Sequence, residues 1–229
     1  MLLVFGALAL IGAAAKAQTY NVEDFSAVNN PNGVWSYGAI PSLGGPFTLL
    51  TQKLPNYYDL DHWLLYNQAP FYPAVVHNAS ALPNTSWAIN PFPAGAVGIH
   101  PSSTGDKGVI RFTSPAAAWY DVQGAFDALG GATVDVYVYH GVNELVQGLL
   151  TGGSISFATT IYVGLGETVD FIVGSGPNNN HVYDGTRVQG LLRVRQDLGD
   201  PMVPEPGVLA LLMSGGIAAS LFVARRSRA

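Results

Sequence analysis

The sequence contains no cysteine, so disulfide bonds, a thiol nucleophile and zinc sites built on thiolates are all excluded. Export is not excluded, because a domain of this size can fold without covalent cross-links. Charge is also scarce, since only 11% of the 229 residues are charged. Gly, Ala, Val and aromatic residues are abundant instead, which is typical of β-structure with tight turns.

Positive charge is especially rare away from the two ends. Lys16 lies near the N-terminus, and Arg225, Arg226 and Arg228 lie at the C-terminus. The chain between them holds six basic and fifteen acidic residues, a net formal charge of −9. A surface with this balance repels phosphate backbones, which argues against nucleic acid as a partner.

Motifs for hydrolytic catalysis are missing too. The five histidines are scattered and form no H-E-x-x-H pattern, and no G-x-S-x-G nucleophile elbow occurs. Three carboxylates leave one enzymatic alternative open, a glycan hydrolase that uses Asp59, Asp61 or Glu144. Asp59 and Asp61 are two residues apart, a spacing more typical of a solvated surface pair.

The N-terminal segment, residues 1–17, is predicted to be a signal peptide. Residues 2–14 form an apolar run of the length of a signal h-region, and Ala15-Lys16-Ala17 supplies small residues at the positions that signal peptidase reads. Cleavage would then precede Gln18. No basic residue precedes the run, and the alternatives are a buried helix or an N-terminal anchor.

The C-terminal segment predicts a membrane helix. Val203-Pro204-Glu205-Pro206 precedes an apolar stretch, and the helix is expected over residues 207–224. Arg225, Arg226 and Arg228 follow, and the positive-inside rule places them in the cytoplasm. The domain would then lie outside.

This order of Pro-Glu-Pro, apolar helix, arginine cluster and chain end resembles the PEP-CTERM sorting signal of Gram-negative bacteria. The resemblance covers residues 204–229, with residues 196–203 as a linker. It implies that an exosortase, a membrane transpeptidase, processes the tail. The expected path runs from an inner-membrane precursor to the cell surface or the extracellular space.

The stretch between these ends, residues 18–195, is predicted to be one all-β domain. Its second half alternates apolar and polar residues between turn signals, which indicates an antiparallel β-sandwich. The strands are expected at residues 109–113, 119–126, 132–139, 144–149, 154–163, 168–173 and 186–195. Residues 18–100 are less regular and predict an early strand at 34–38 and long loops between edge strands.

Four parts of this domain carry a second resemblance. Gly98-Ile99-His100-Pro101, residues 109–115, residues 169–174 and the Asn-rich loop that ends in Asp184 are similar to a jelly-roll module of PEP-CTERM proteins. The likeness covers residues 30–195 and implies a fold like that of carbohydrate-binding domains. Most copies have a Gly where Ala118-Trp119 stands here, so the turn at that point differs.

The Asn-rich loop, residues 176–184, is a candidate calcium site. Asn178, Asn180 and Asp184 offer the hard oxygen ligands that Ca²⁺ prefers. The alternative is a plain turn, because Asn and Gly tolerate left-handed conformations. No other cofactor is expected.

Aromatic residues provide a candidate sugar platform, since sugars stack their C–H faces on flat rings. The available rings are Trp35, Tyr37, Trp63, Tyr66 and Trp87. The alternative is core packing, which accounts for most tryptophans in folded proteins.

The sequence therefore favours a non-enzymatic exported surface or extracellular-matrix protein. Signal peptidase and exosortase are its expected processing partners, and an extracellular polysaccharide is its expected ligand. Two alternatives stay open at this point: the glycan hydrolase above, and a purely structural envelope component with no small ligand.

Overall fold

Thirteen β-strands build the described part of the chain, which in this computed structural model comprises residues 18–67 and 72–195. They are β1 Thr19–Asn21, β2 Trp35–Ile40, β3 Thr48–Leu49, β4 Asp61–Leu64, β5 Ala74–His77, β6 Val97–His100, β7 Lys107–Thr113, β8 Ala118–Ala128, β9 Val134–His140, β10 Asn143–Leu150, β11 Ser154–Val163, β12 Thr168–Gly174 and β13 Thr186–Val194. The described residues contain no helix that could cross a membrane.

The strands form two antiparallel sheets. Sheet A has the order β11-β8-β13-β6-β5-β4, with β1 also paired to β13, and sheet B has the order β10-β9-β12-β7-β2-β3. From β7 to β13 the chain crosses repeatedly between the sheets, as in a jelly-roll-like sandwich. The prediction of an all-β antiparallel sandwich is confirmed.

Alternating side chains explain why the second half forms these strands. Val134, Val136 and Val138 are fully buried between the sheets, whereas Asp135 points to the outer face of sheet B. The turn after β9 contains Gly141 at φ +57°, a conformation that glycine adopts without a steric penalty. Each strand predicted between residues 109 and 195 is present within two residues of its expected bounds.

The inner faces of both sheets share one core. Phe112 of sheet B lies 5.6 Å from Tyr120 of sheet A and 5.1 Å from Tyr20 of β1, centroid to centroid. Tilted and edge-on pairs of this kind stabilise beyond the area that they bury, by about 0.5–1.5 kcal/mol each. The short strand β1 also pairs with β13, so it holds the start of the domain against its last strand.

The first half of the domain, residues 18–100, differs more from the predicted structure than the second half does. The predicted early strand is present as β2 and pairs with β7 in sheet B. Residues 61–64, 74–77 and 97–100 form three four-residue strands that extend sheet A, although the sequence predicts long loops there. Nearly every residue of these three strands is buried, so apolar and polar residues do not alternate along them.

The loops between these short strands cover the outer face of sheet A at β4, β5 and β6. They bury a second apolar cluster outside the main core: Tyr57, Leu60, Leu64, Ala74, Val76, Trp87, Phe92, Ala96 and Leu129. This cluster fixes the loops that carry the candidate site.

The predicted signal peptide (1–17), the linker (196–203) and the sorting tail (204–229) lie outside the described residues. They stay predictions of the sequence.

Candidate functional site: an aromatic loop pocket

A pocket of about 340 Å³ opens among the loops over the outer face of sheet A. Pockets for small ligands generally measure about 300–1,000 Å³. We call it the loop pocket; the described residues that line it are Tyr58, Tyr72, Ser86, Trp87, Ala88, Ile89, His100, His181, Val182 and Tyr183. It joins Trp87 and the Asn-rich loop, which the sequence predicts as two separate candidate sites.

Glycines allow Trp87 to lie against sheet A. A Cβ atom at Gly98 of β6 would lie 2.9 Å from Cη2 of Trp87, and one at Gly185 would lie 3.5 Å from it. Trp87 therefore packs closely on the strand backbone and is only 8% exposed. Its ring also lies 4.9 Å from that of Phe92, which ties the pocket wall to the second apolar cluster.

Asn84 connects the two loops on this side of the pocket. Its Nδ2 donates to the carbonyl oxygen of Tyr58 at 2.7 Å. Its Oδ1 accepts from the backbone N–H groups of Ser86 and Trp87 at 3.0 and 3.1 Å. One side chain thus positions three lining residues from two loops.

Two exposed tyrosines stand at the pocket in a strained backbone conformation. Tyr58 has φ +52° and Tyr183 has φ +68°, and both are in the left-handed region that bulky residues avoid. Their side chains are 43% and 60% exposed. Such strain costs about 1–3 kcal/mol per residue and clusters at functional sites.

Stacked rings form the base of the pocket. The centroids of Tyr72 and His100 lie 3.8 Å apart with an interplanar angle of 16°. His181 approaches both rings, at 5.7 Å from Tyr72 and 6.0 Å from His100.

The environment of His100 keeps its imidazole neutral. Burial lowers the pKa of His100 to about 4, although its hydrogen bond to the Pro101 carbonyl acts in the opposite direction. Because a carbonyl oxygen can only accept, Nδ1 of His100 carries the hydrogen of this 2.9 Å bond. In the neutral ring Nε2 is then an acceptor.

The described lining of the loop pocket contains no Asp, Glu, Lys or Arg. A charged ligand would lose its hydration without gaining an ionic partner. Flat rings together with a few polar groups (Ser86, His181 and tyrosine hydroxyls) suit a ligand that is uncharged and has both apolar and hydroxyl faces.

The structure corrects part of the predicted sugar platform. Trp35 is 2% exposed and Tyr37 is fully buried, so the prediction that they offer exposed rings is wrong. Both lie in the core between the sheets, where Trp35 packs edge-on against Phe112 at 5.6 Å. Alternation along β2 turns these two rings inward.

Trp63 and Tyr66 lie elsewhere. Trp63 is 9% exposed, donates from Nε1 to the Ser26 carbonyl at 2.8 Å, and has the Lys53 ammonium 4.2 Å above its ring. These contacts occupy the face that a sugar would need. Tyr66 is 41% exposed but does not line the loop pocket.

The three predicted calcium ligands have different environments. Asn178 and Asn180 are exposed, and their Oδ1 atoms each accept a backbone N–H two residues further on, at 3.1 Å. Asp184 is 1% exposed, and its Oδ1 accepts the backbone N–H of Thr133 at 3.1 Å. The bonds of Asn178 and Asn180 are Asx turns, which are typical of a plain turn, whereas the bond of Asp184 connects the loop to Thr133.

Burial also raises the pKa of Asp184 to about 6, which weakens it as a cation ligand. Across residues 18–67 and 72–195, no group of three His, Asp or Glu side chains could hold a metal ion. The geometry thus favours the plain turn, and calcium binding stays a prediction.

Glu144 does not share a site with Asp61, the other carboxylate of the hydrolase alternative that lies on a strand. Asp61 lies on the edge strand β4 and contacts His77 at 3.5 Å. Glu144 lies on β10, at the opposite lateral edge of the sandwich, where it accepts from the Tyr139 hydroxyl at 2.9 Å. Asp59 adopts φ +55° in the loop before β4.

Comparisons with known proteins assign no family. No family model matches the chain, and no curated protein matches it. Among solved structures, CBM51 from Clostridium perfringens GH95, in complex with methyl-galactose, is 14% identical over 53% of this chain and 88% of its own, with a TM-score of 0.37.

Two further structures are similar to the same degree. The CBM51-2 and INT domains of Clostridium perfringens ZmpB, in complex with GlcNAc, are 14% identical over 46% of this chain and 23% of their own, with a TM-score of 0.32. The CBM36-1 domain of a xylanase from the hindgut metagenome of Trinervitermes trinervoides is 13% identical over 54% and 98%, also with a TM-score of 0.32. TM-scores this low place the chain in none of these families.

Proposed function

We propose that this domain binds an uncharged carbohydrate in the loop pocket and does not catalyse a reaction. The observation that carries the proposal is the pocket itself, an uncharged cavity of about 340 Å³ with the exposed rings of Tyr58 and Tyr183 beside it. The strained backbone at both tyrosines supports a binding role, since plain packing would not require it.

Aromatic rings and neutral polar groups act together on such a ligand. The rings of Tyr58 and Tyr183 offer apolar faces for the C–H groups of a sugar. Nε2 of His100 is an acceptor in the neutral imidazole, and the hydroxyl of Ser86 both donates and accepts. A pyranose ring has apolar faces, which can stack on the aromatic rings, and hydroxyl groups at its edges, which can bond to the polar groups.

A glycan array tests this proposal. The full-length chain is applied to an array of neutral and anionic oligosaccharides, and bound protein is detected by antibody. We expect binding to one group of neutral glycans and none to sulfated or uronic-acid glycans. Binding to anionic glycans alone would contradict the uncharged ligand, and binding to no glycan would favour the structural envelope component instead.

We infer further that the domain acts outside the cytoplasm. The support is the sequence of the two ends: an h-region at residues 2–14, and Pro204-Glu205-Pro206 followed by an apolar stretch and three arginines. Signal peptidase and an exosortase would process them, and the domain would reach the cell surface or the extracellular matrix.

A further inference from the structure

The outer face of sheet A carries a second concave surface, away from the loop pocket. The outward-facing residues of β8, β11 and β13 line two cavities of about 330 and 590 Å³. Gln123, Ala158 and Leu191 line both cavities, so the two are parts of one depression. We call it the sheet groove.

Strand register places these side chains in rows across the three strands. Gln123 of β8 lies opposite Ala158 of β11 and Leu191 of β13. Two residues further along β8, Ala125 lies opposite Ser156 and Gln189. Small side chains therefore form the floor, and carboxamides stand above it.

Charged groups lie at the two ends of the groove and are paired within the protein. At one end Asp121 accepts from Thr160 Oγ1 at 2.7 Å and lies 3.6 Å from Arg195 Nη1. At the other end Asp127 accepts from Gln189 Nε2 at 2.7 Å and lies 3.6 Å from Arg187 Nη1.

The face is balanced in charge, unlike the rest of the domain. Its carboxylates are those of Asp121, Asp127 and Glu23, and its guanidiniums are those of Arg187, Arg193 and Arg195. Three of each give a formal net charge of zero. Nucleic acid requires an excess of positive charge, and a protein interface requires apolar anchors. Leu191 is the one large apolar side chain among the outward-facing residues that line the two cavities.

The length of the sheet groove fits a linear ligand. Asp121 and Asp127 are six residues apart on one strand, a distance of about 20 Å. Trp119 lies two residues before Asp121 on the same face of β8, packs edge-on against Tyr162 at 5.8 Å, and adds an aromatic ring at this end.

We propose that the sheet groove binds a linear, uncharged polysaccharide along the direction of its strands. Carboxamides, carboxylates and guanidiniums present planar pairs of donors or acceptors, which match neighbouring sugar hydroxyls. The small floor residues Ala125, Ser156 and Ala158 let the chain approach the sheet. This surface is separate from the loop pocket, so a chain could be held at both.

Affinity electrophoresis of the full-length chain tests this proposal. Three neutral polymers serve as probes in the gel: mixed-linkage β-glucan, galactomannan and arabinoxylan. Ala158→Tyr fills the groove from an exposed strand position that suits tyrosine. Leu149→Tyr is the matched control on the exposed edge strand of sheet B, where Leu149 is 53% exposed.

We expect at least one polymer to retard the wild type and Leu149→Tyr equally, and Ala158→Tyr to bind it at least fivefold more weakly. Gln123→Val, which removes a carboxamide without adding bulk, should weaken binding in the same direction. The loop-pocket variant Tyr183→Ala leaves every residue of the sheet groove in place and measures the share of the retardation that the loop pocket contributes. Equal retardation of Ala158→Tyr and the wild type overturns the proposal, as does a wild type that none of the polymers retards. Loss of retardation in Tyr183→Ala alone assigns all binding to the loop pocket and also overturns it.

Discussion

The ring of Tyr72 stacks on the ring of His100 at 3.8 Å, with only 16° between the two planes. The pair joins the start of β5 to the end of β6 beneath the loop pocket. Stacking on an aromatic ring and burial both suit a neutral imidazole, in agreement with the lowered pKa of His100. The imidazole of His100 is therefore uncharged at neutral pH.

Asn84→Ala should loosen the wall of this pocket. The variant loses three hydrogen bonds, to the carbonyl of Tyr58 and from the N–H groups of Ser86 and Trp87. At about 0.5–1.5 kcal/mol for each bond, the free energy of unfolding should fall by roughly 2–4 kcal/mol. Urea denaturation measures the change.

Asn178→Ala, which removes one hydrogen bond of an exposed turn, is the control and should cost less than about 1 kcal/mol. Equal losses in both variants would contradict the positioning role of Asn84.

The sequence predicts the strands of this domain better than it predicts the loop pocket. The strands after residue 107 have a clear alternation, and their bounds follow from it. The pocket instead depends on contacts between distant segments, such as Trp87 against Gly98, which no local pattern encodes. Trp87 and the Asn-rich loop were identified, but as two sites rather than one.

Tyr58 and Tyr183 were missed for a different reason. Their backbone is left-handed, a state that tyrosine avoids, so no propensity indicates it. The one local signal was compositional, the run Asn56-Tyr57-Tyr58-Asp59 with aromatic residues between turn formers. Trp35 and Tyr37 failed as platform residues because they lie on the inward-facing side of β2, in the core between the sheets.

Asp184→Asn should stabilise the domain at neutral pH. Burial raises the pKa of Asp184 to about 6, and the Asp135 carboxylate acts in the same direction. A pKa above that of the unfolded state means that the folded state holds its proton more tightly. Stability from this group is therefore present at low pH and is lost as the pH rises from about 4 to about 6. The loss amounts to roughly 3 kcal/mol for a shift of two units.

Melting temperatures at pH 4 and pH 7.5 check this prediction. The variant should melt higher than the wild type at pH 7.5 and about equally at pH 4, whereas Asp24→Asn, at an exposed position, should change neither value. Millimolar Ca²⁺ should leave the melting temperature of the wild type unchanged if the loop is a plain turn. A rise that Asp184→Asn abolishes would support the calcium site instead.

Asp170→Asn should destabilise the fold strongly. Asp170 is 5% exposed and receives Nε and Nη2 of Arg111, each at 2.7 Å, and the Arg111 guanidinium also lies 4.0 Å above the ring of Phe47. Removing the carboxylate leaves a poorly solvated positive charge, at a cost of about 3–5 kcal/mol.

Chemical denaturation of Asp170→Asn beside Glu144→Gln measures this difference. Glu144 also accepts a side-chain hydrogen bond, but it is exposed, so its variant should lose less than about 1 kcal/mol. Similar midpoints for the two variants would show that the Arg111 pair contributes little.

Substitution of Pro204-Glu205-Pro206 by three alanines should block maturation in cells of a host with an exosortase. The precursor should then accumulate in the inner membrane with its tail uncleaved. A triple alanine substitution at residues 197–199, in the same stretch before the tail, is the matched control and should be processed normally. Pulse-chase labelling with fractionation reports both forms. Normal processing of the Pro-Glu-Pro variant would remove the basis for the sorting signal.

Titration calorimetry of the full-length chain with its best array glycan tests the central claim most directly. Tyr58→Ala and Tyr183→Ala each remove one exposed ring from the loop pocket, and Tyr66→Ala removes a ring of similar exposure elsewhere. Each pocket ring should contribute about 1–2 kcal/mol through its buried apolar area, a five- to thirtyfold loss of affinity. We predict such losses in both pocket variants and wild-type affinity in Tyr66→Ala. Wild-type affinity in both pocket variants would contradict carbohydrate binding at this site.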